Sequence, residues 1–170
     1  MARIFESFVH EDENVASAVQ NLLQTELKLE DGVFLSSDQS RIYGGDLWLQ
    51  KIKEGLSTAE LIILMLSKRS VVRPWINFEA GAAWLTDKKI IPVCYGNLSK
   101  GALSHPLSAF NALQLPADTY YLLESVTTQL RLPPISPAAV YRGKMFQGVQ
   151  DGAFESYDRL VKALQEFKDD

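Results

Sequence analysis

Two residues, Trp75 and Glu79, have the types and the spacing that suit them to chemistry. Being four positions apart, they share one face of the helix that the sequence predicts from Trp75 to about Leu85. The residues around Glu79, among them Phe78 and Ala80, are apolar, so we expect its carboxylate to be desolvated. A desolvated carboxylate beside an aromatic ring indicates a functional acid.

Two structural roles for Glu79 compete with that interpretation. Glu79 could cap its helix, but with Pro74 near the first helical position it lies beyond the place of a capping box. It could instead form an ion pair with Arg69 or Arg73, which precede it in the chain. The functional role is favoured, and the ion pair stands as the alternative.

Other chemistries common in enzymes lack their residues in this sequence. One cysteine, Cys94, and two distant histidines, His10 and His105, do not make a zinc site, so no metal is predicted. The first predicted strand is followed by Ser7-Phe8-Val9-His10 and not by a glycine-rich dinucleotide loop. A phosphate-binding P-loop and a nucleophile elbow are also missing. We therefore expect no resident cofactor.

Composition limits the class of protein further. The 170 residues include 17 basic and 21 acidic side chains, a net charge of −4, which disfavours nucleic acid as a partner. The longest apolar run, Leu61 to Leu66, is far shorter than the ~20 residues of a membrane span. No secretory signal is seen at the N-terminus. These observations predict a single-domain cytoplasmic protein that binds no membrane.

Predicted strands and helices alternate from Arg3 to Arg131, which is typical of a parallel sheet with helices on both faces. The expected α/β fold is flavodoxin-like, with five parallel strands in the order 2-1-3-4-5. In such a sheet the ligand crevice lies beyond the carboxyl ends of strands one and three. Its predicted lips are the segments Phe8 to Asp12 and Ser67 to Trp75.

The last 39 residues form a separate segment in this interpretation, with a sheet domain at 1–131 and an extension at 132–170. Pro133, Pro134 and Pro137 indicate a linker or rigid turn. The spacing of apolar residues from Phe154 to Phe167 predicts an amphipathic helix. We expect this helix to pack on the sheet domain, and a helix that binds a partner is the alternative.

Taken in order, several segments of the chain resemble the Toll/interleukin-1 receptor (TIR) domains, most closely the bacterial ones. The resemblance covers roughly residues 3–131, and the segments that carry it are Ser7-Phe8, Val33-Phe34-Leu35-Ser36-Ser37-Asp38, Gly45-Asp46-Leu47-Trp48, Leu61 to Ser67, Trp75-x-x-x-Glu79 and Ile91-Pro92-Val93. One departure concerns the loop after the second strand. Gly44 stands before Gly45 where the family commonly has a proline, and that loop mediates contacts between domains in the family.

The resemblance implies cleavage of NAD+ at the bond between nicotinamide and ribose, with Glu79 as the catalytic glutamate. A glycosidase needs a second carboxyl group to protonate its leaving oxygen. Nicotinamide leaves as a neutral molecule, so one carboxylate that stabilises an oxocarbenium-like transition state is enough. NAD+ is then the substrate and not a cofactor. The substrate-binding residues expected beside Glu79 are Ser7, Phe8, Asp38, Trp48 and Trp75.

The resulting prediction is an NAD+ nucleosidase or cyclase that acts in bacterial anti-phage immunity. Its product would be ADP-ribose, a cyclic form of it, or an ADP-ribosyl group transferred to another acceptor. The resemblance also implies self-association with other TIR subunits and a separate effector protein reached through the diffusible product. Two alternatives are a non-enzymatic TIR adaptor that acts by self-association and a deoxyribosyltransferase-like nucleoside-processing enzyme.

Overall fold

The centre of the molecule is a parallel sheet. In this computed structural model, which describes residues 3–29, 32–38, 54–135 and 155–168, four strands have six residues each and a fifth has two. They are β1 (Ile4–Val9), β2 (Val33–Asp38), β3 (Leu61–Leu66), β4 (Lys89–Cys94) and β5 (Leu113–Gln114). Their order across the sheet is β2-β1-β3-β4-β5, and every neighbouring pair is parallel.

Helices connect the strands and cover both faces of the sheet. They are α1 (Glu13–Leu27), α2 (Lys68–Val71), α3 (Pro74–Leu85), α4 (Thr119–Gln129) and α5 (Glu155–Glu166). Residues 54–58 are also helical. The predicted α/β class with a parallel sheet is confirmed. The loop after the second strand, with Gly44 and Gly45, lies outside the described residues.

Two apolar cores lie on the two faces of the sheet. All six residues of β1 and of β3 are buried, which explains the continuous apolar run of β3. One core, with Ile4 and Phe8 from β1, packs against α1, α4 and α5. The other core, with Phe5 from β1, packs against α3. Successive residues of a strand point to opposite faces, so β1 supplies side chains to both cores in turn.

Cys94 belongs to the core under α3, at the end of β4. Its side chain is buried, and this burial raises the pKa of the thiol to about 11. A thiol with such a pKa carries almost no thiolate at neutral pH, and the thiolate is the reactive form. Cys94 is therefore a small core residue here.

The C-terminal helix α5 packs along α1. Leu160 is fully buried in the core on that face, and Tyr157 and Leu164 pack against the same core. The hydroxyl of Ser156 donates a hydrogen bond of 2.7 Å to the carboxylate of Glu26 in α1. Among the helices that the structure describes, none has the length and the apolar composition needed to cross a membrane.

Candidate active site

Glu79 and Ser7 meet between α3 and the sheet. Both residues are completely buried. The Ser7 hydroxyl donates a hydrogen bond to Oε2 of Glu79, although the two residues are 72 positions apart in the sequence. Ser7 faces α3 because it lies two residues after Phe5, which belongs to the core on that face. The sheet and the helix together therefore place a hydroxyl group on a buried carboxylate.

The local sequence explains how α3 turns Glu79 inward. Pro74 is the first residue of the helix, a position at which its missing N–H group costs no hydrogen bond. Ile76, Ala80 and Ala83 form the buried face of α3, and Glu79 lies on that same face. The carboxylate is thus held among apolar side chains, as its sequence surroundings predicted.

Trp75 lies one helical turn before Glu79 and is half-buried. Its indole ring stacks on Phe78, with 5.2 Å between the ring centroids and 30° between the ring planes. The stack lies at the N-terminal end of α3, one turn from the carboxylate. A planar ring of a ligand is chemically compatible with such a surface.

The structure does not bring Phe8 to this site. Ser7 and Phe8 are neighbours in β1 and therefore point to opposite faces of the sheet. Phe8 is 3 % exposed and belongs to the core under α1, so we no longer assign it a contact with substrate. Asp38 pairs with Val9 at the end of β2, and the side chain of Asp38 lies outside the described part of the chain. Trp48 lies outside it entirely.

The two arginines considered as ion-pair partners of Glu79 have acidic partners elsewhere. Arg73 pairs with Glu11 at 3.0 Å, and Nε of Arg69 lies 3.3 Å from Oδ1 of Asp12. Glu79 accepts a hydrogen bond from Ser7. Neither arginine therefore depends on Glu79 for an acidic partner.

A second buried polar cluster joins the carboxyl ends of three strands, and two of its members, Asp12 and Ser67, lie in the predicted lips of the crevice. Oδ2 of Asp12 accepts hydrogen bonds from the hydroxyl of Ser67, at 2.7 Å, and from that of Tyr95, at 2.6 Å. Burial, and then the Asp12 carboxylate, raise the pKa of Tyr95 well above its usual value, so the phenol keeps the proton that it donates. Ser67 also caps α2 by accepting a hydrogen bond from the Ser70 amide. Asp12 thereby connects the segments that follow β1, β3 and β4.

Comparison with protein families gives one result. The sequence profile of the TIR domain family matches residues 4–122, more than two thirds of the chain. The chain belongs to the TIR domain family. No curated protein sequence matches it. The matched part of the TIR domain includes Ser7, Trp75 and Glu79, and it ends before α5.

The TIR domain contains a third buried carboxyl group, besides those of Glu79 and Asp12: Glu6 lies on the face of the sheet opposite to Glu79. Glu6 pairs in the sheet with Leu35 and Ile63 and is completely buried. Among the described residues, neither of its carboxyl oxygens has a hydrogen-bond partner. Burial raises the pKa of Glu6 well above its usual value. The folded protein therefore keeps a proton on Glu6 that the unfolded chain loses.

This difference predicts how Glu6 affects stability. Because the pKa is raised on folding, the folded state is favoured most below about pH 4.5, and this contribution is lost as the pH rises towards the folded-state pKa. Glu6→Gln removes the titration. Above about pH 4.5, and as long as folded Glu6 stays protonated, the free energy of unfolding of the unmodified protein falls by about 1.4 kcal/mol per pH unit relative to that of Glu6→Gln. Urea unfolding of both proteins at about pH 5 and pH 7 measures this difference in the free energy of unfolding. An equal difference at both pH values would contradict the prediction.

A groove of about 470 Å³ lies between α1 and α5 of the TIR domain. Asn14 and Asn21 line it on the α1 side, and Arg159 and Lys162 on the α5 side. Glu79 does not line it. Both cations are already close to acids of α5, Glu155 and Glu166 respectively. We therefore assign the candidate active site to Glu79 and not to this groove. In the described part of the chain, no cluster of side chains has the composition of a metal site.

Proposed function

We propose that this TIR domain cleaves NAD+ at the bond between nicotinamide and ribose. The observation that carries the proposal is the buried Glu79 carboxylate, which accepts a hydrogen bond from Ser7 and lies one turn from Trp75. A carboxylate buried on the apolar face of a helix suits a reaction whose leaving group needs no proton.

The chemistry assigned to each residue follows from its position. The bond between C1′ of the ribose and the pyridinium nitrogen breaks, and its electron pair stays on nicotinamide, which leaves neutral. Glu79 stabilises the positive charge that develops on the ribose, and the Ser7 hydroxyl holds the carboxylate in one orientation. Water then adds to C1′ and releases a proton to the solvent. Attack by a nucleophilic group of the same molecule would instead give a cyclic ADP-ribose.

Aromatic side chains complete the proposed substrate site. Trp75 would stack on a ring of NAD+, since it belongs to the same helix as Glu79 and lies one turn before it. Trp48 and Asp38 remain proposed substrate-binding residues: Trp48 would stack on a ring of NAD+, and Asp38 would bind a ribose hydroxyl or restrain a neighbouring subunit. NAD+ is a substrate in this scheme, and no resident cofactor or metal is proposed.

The experiment that tests the proposal is chromatography with mass analysis of NAD+ incubated with concentrated protein. Release of nicotinamide together with ADP-ribose identifies a hydrolase, and a product lighter by one water identifies a cyclase. Exchange of nucleoside bases without turnover of NAD+ would indicate a deoxyribosyltransferase-like enzyme. An unchanged NAD+ pool at every protein concentration would reject the proposal.

The biological setting is part of the same proposal and rests on the resemblance to bacterial TIR proteins. A cytoplasmic TIR enzyme of anti-phage immunity would pass its diffusible product to a separate effector protein. Nicotinamide release that begins when the host cell is infected would support this setting.

Self-association is proposed through the outward face of α3. Phe78, Gly81 and Leu85 are spaced to lie on one side of this helix. Phe78 and Leu85 are 57 % and 77 % exposed, and the one ionisable residue of α3, Glu79, is buried. An uncharged apolar face is normally covered by another surface. A second copy meets no like charge there, and small Gly81 leaves space beside Phe78 for a side chain of that copy.

Leu85→Glu is expected to weaken this self-association by about tenfold or more. If two copies associate symmetrically through this face, the substitution brings two carboxylates together and desolvates them. Sedimentation over a range of protein concentrations measures the change. Tyr121→Glu is the matched control, since Tyr121 is an exposed apolar residue of α4, outside the proposed surface. An equal effect of both substitutions would contradict the assignment of the interface to α3.

The same apolar face favours one alternative function, a non-enzymatic TIR adaptor. An adaptor would lose assembly with Leu85→Glu and would show no turnover of NAD+ in either form. The proposed enzyme would instead lose part of its turnover together with its assembly.

A further inference from the structure

The residue that follows α5, Phe167, lies against two parts of the TIR domain at once. Its ring makes an edge-to-face contact with Tyr95, with 5.1 Å between the centroids and 69° between the planes. The guanidinium carbon of Arg69 lies 5.0 Å from the centroid of the same ring. Tyr95 comes directly after β4, and Arg69 belongs to α2. The C-terminal segment therefore touches the sheet and α2 through one side chain.

The short helix α2 is thus held by two independent partners. Asp12 accepts a hydrogen bond from Ser67, the N-cap residue of α2, and lies 3.3 Å from Nε of Arg69. Phe167 supplies the second contact, on the guanidinium group of that same arginine. Asp12 is in the matched TIR region, whereas Phe167 lies outside it. Part of the support for α2 therefore comes from the C-terminal extension.

Only two residues separate α2 from the helix that carries Glu79. α2 ends at Val71, and α3 begins at Pro74. The connection between them also contacts the segment after β1, because Arg73 forms an ion pair with Glu11 at 3.0 Å. A short, restrained connection transmits a displacement of α2 to the start of α3. The distance between Glu79 and Ser7 depends on where α3 starts.

We propose that Phe167 is a positioning residue for Glu79. By packing on Arg69 and Tyr95, it holds α2, and through α2 it holds α3 at the place where Glu79 meets Ser7. The consequence for turnover rests on the proposed cleavage of NAD+, whereas the consequence for the position of α3 does not. The C-terminal extension is, in this view, a part of the active-site architecture that the TIR match alone does not contain.

The first test measures the position of α3 without any substrate. Phe167→Ala is expected to speed hydrogen exchange of the backbone amides of residues 67–85 by about tenfold, while the amides of β3 stay protected. Tyr157→Ala is the matched control. It removes an aromatic ring from α5 itself, ten residues before Phe167, and should leave exchange in residues 67–85 unchanged.

The second test measures turnover. A displaced carboxylate lowers kcat more than it raises KM, so Phe167→Ala should lower kcat for nicotinamide release by about tenfold or more, with KM changed less than about threefold. Phe167→Tyr, which keeps the ring, should restore kcat. Tyr157→Ala should leave both constants unchanged.

The outcomes separate the two proposals. If the unmodified protein releases no nicotinamide, the proposed function fails, and the exchange experiment still decides whether Phe167 positions α3. If Phe167→Ala leaves exchange in residues 67–85 unchanged, or if Tyr157→Ala accelerates it equally, the positioning role is wrong. Should Phe167→Ala fail to fold, Phe167→Leu, which keeps the apolar volume without the ring, must show the same localised acceleration for the proposal to stand.

Discussion

Glu79→Gln is expected to reduce the release of nicotinamide from NAD+ by about a thousandfold. The substitution keeps the size of the side chain and its capacity to accept a hydrogen bond from Ser7, but it removes the negative charge. Loss of one preorganised electrostatic contact with a transition state commonly costs a factor of about 10²–10³ in kcat. A fully buried charge belongs at the upper end of that range, because little solvent screens it. Chromatography of nicotinamide at saturating NAD+ gives the rate.

The control for Glu79→Gln is Glu6→Gln. It makes the same exchange of a fully buried carboxyl group for an amide, one residue before Ser7, but on the opposite face of the sheet. Its turnover should equal that of the unmodified protein. If Glu79→Gln turns over NAD+ as fast as the unmodified protein, Glu79 is not the catalytic residue.

Asp12→Ala is expected to lower the free energy of unfolding by about 3–5 kcal/mol. It removes the acceptor of the Ser67 and Tyr95 hydroxyls and the acidic partner of Arg69. Two buried hydroxyls are left without that hydrogen bond, and each such loss costs about 1–3 kcal/mol. Asp12 itself is 1 % exposed, so water cannot replace the lost carboxylate without entering the core. Urea unfolding followed by circular dichroism measures the change.

The neighbouring residue Glu11 provides the comparison for Asp12. Glu11 also pairs with an arginine, Arg73, but 46 % of its side chain is exposed. Glu11→Ala should therefore change stability by less than about 1 kcal/mol. A similar loss of stability for both substitutions would contradict the prediction, because burial would then not explain the large effect of Asp12→Ala.

Much of the fold could be predicted because some segments carry strong local signals. Leu61 to Leu66 is continuously apolar, as a strand covered on both faces must be, and it forms β3 with all six residues buried. Pro74 marks the start of α3, because its fixed φ and missing N–H suit the first helical position. The amphipathic spacing from Phe154 to Phe167 predicted α5, which forms over Glu155–Glu166. In each case the residues that define the element are close together in the sequence.

The candidate site was predicted less completely, because it depends on which residues face each other. The surroundings of Glu79 indicated a desolvated carboxylate, and the structure buries it completely. Ser7 and Phe8 were both expected there, but residues adjacent in a strand cannot both face α3. Only the pairing of β1 with its neighbours shows that Ser7 is the one that does.

The hydrogen bonds of the Asp12 cluster could not be predicted, for a related reason, although Asp12 and Ser67 both lie in the predicted lips of the crevice. Its members come from three segments that are separated by 55 and 83 positions, and each is an ordinary polar residue in its own segment. They meet because parallel strands bring their carboxyl ends to one edge of the sheet. The contact of Phe167 with Arg69 is equally non-local, since it depends on how α5 packs on α1.

The buried thiol of Cys94 makes the protein convenient to label. The sequence has no other cysteine, and a pKa of about 11 leaves roughly one thiol in ten thousand ionised at pH 7. Maleimide reagents should therefore not react with the thiol of Cys94 in the folded protein. A cysteine introduced at exposed Tyr121 would be the single reactive thiol, and a spin label there would measure distances between copies without first removing a native cysteine.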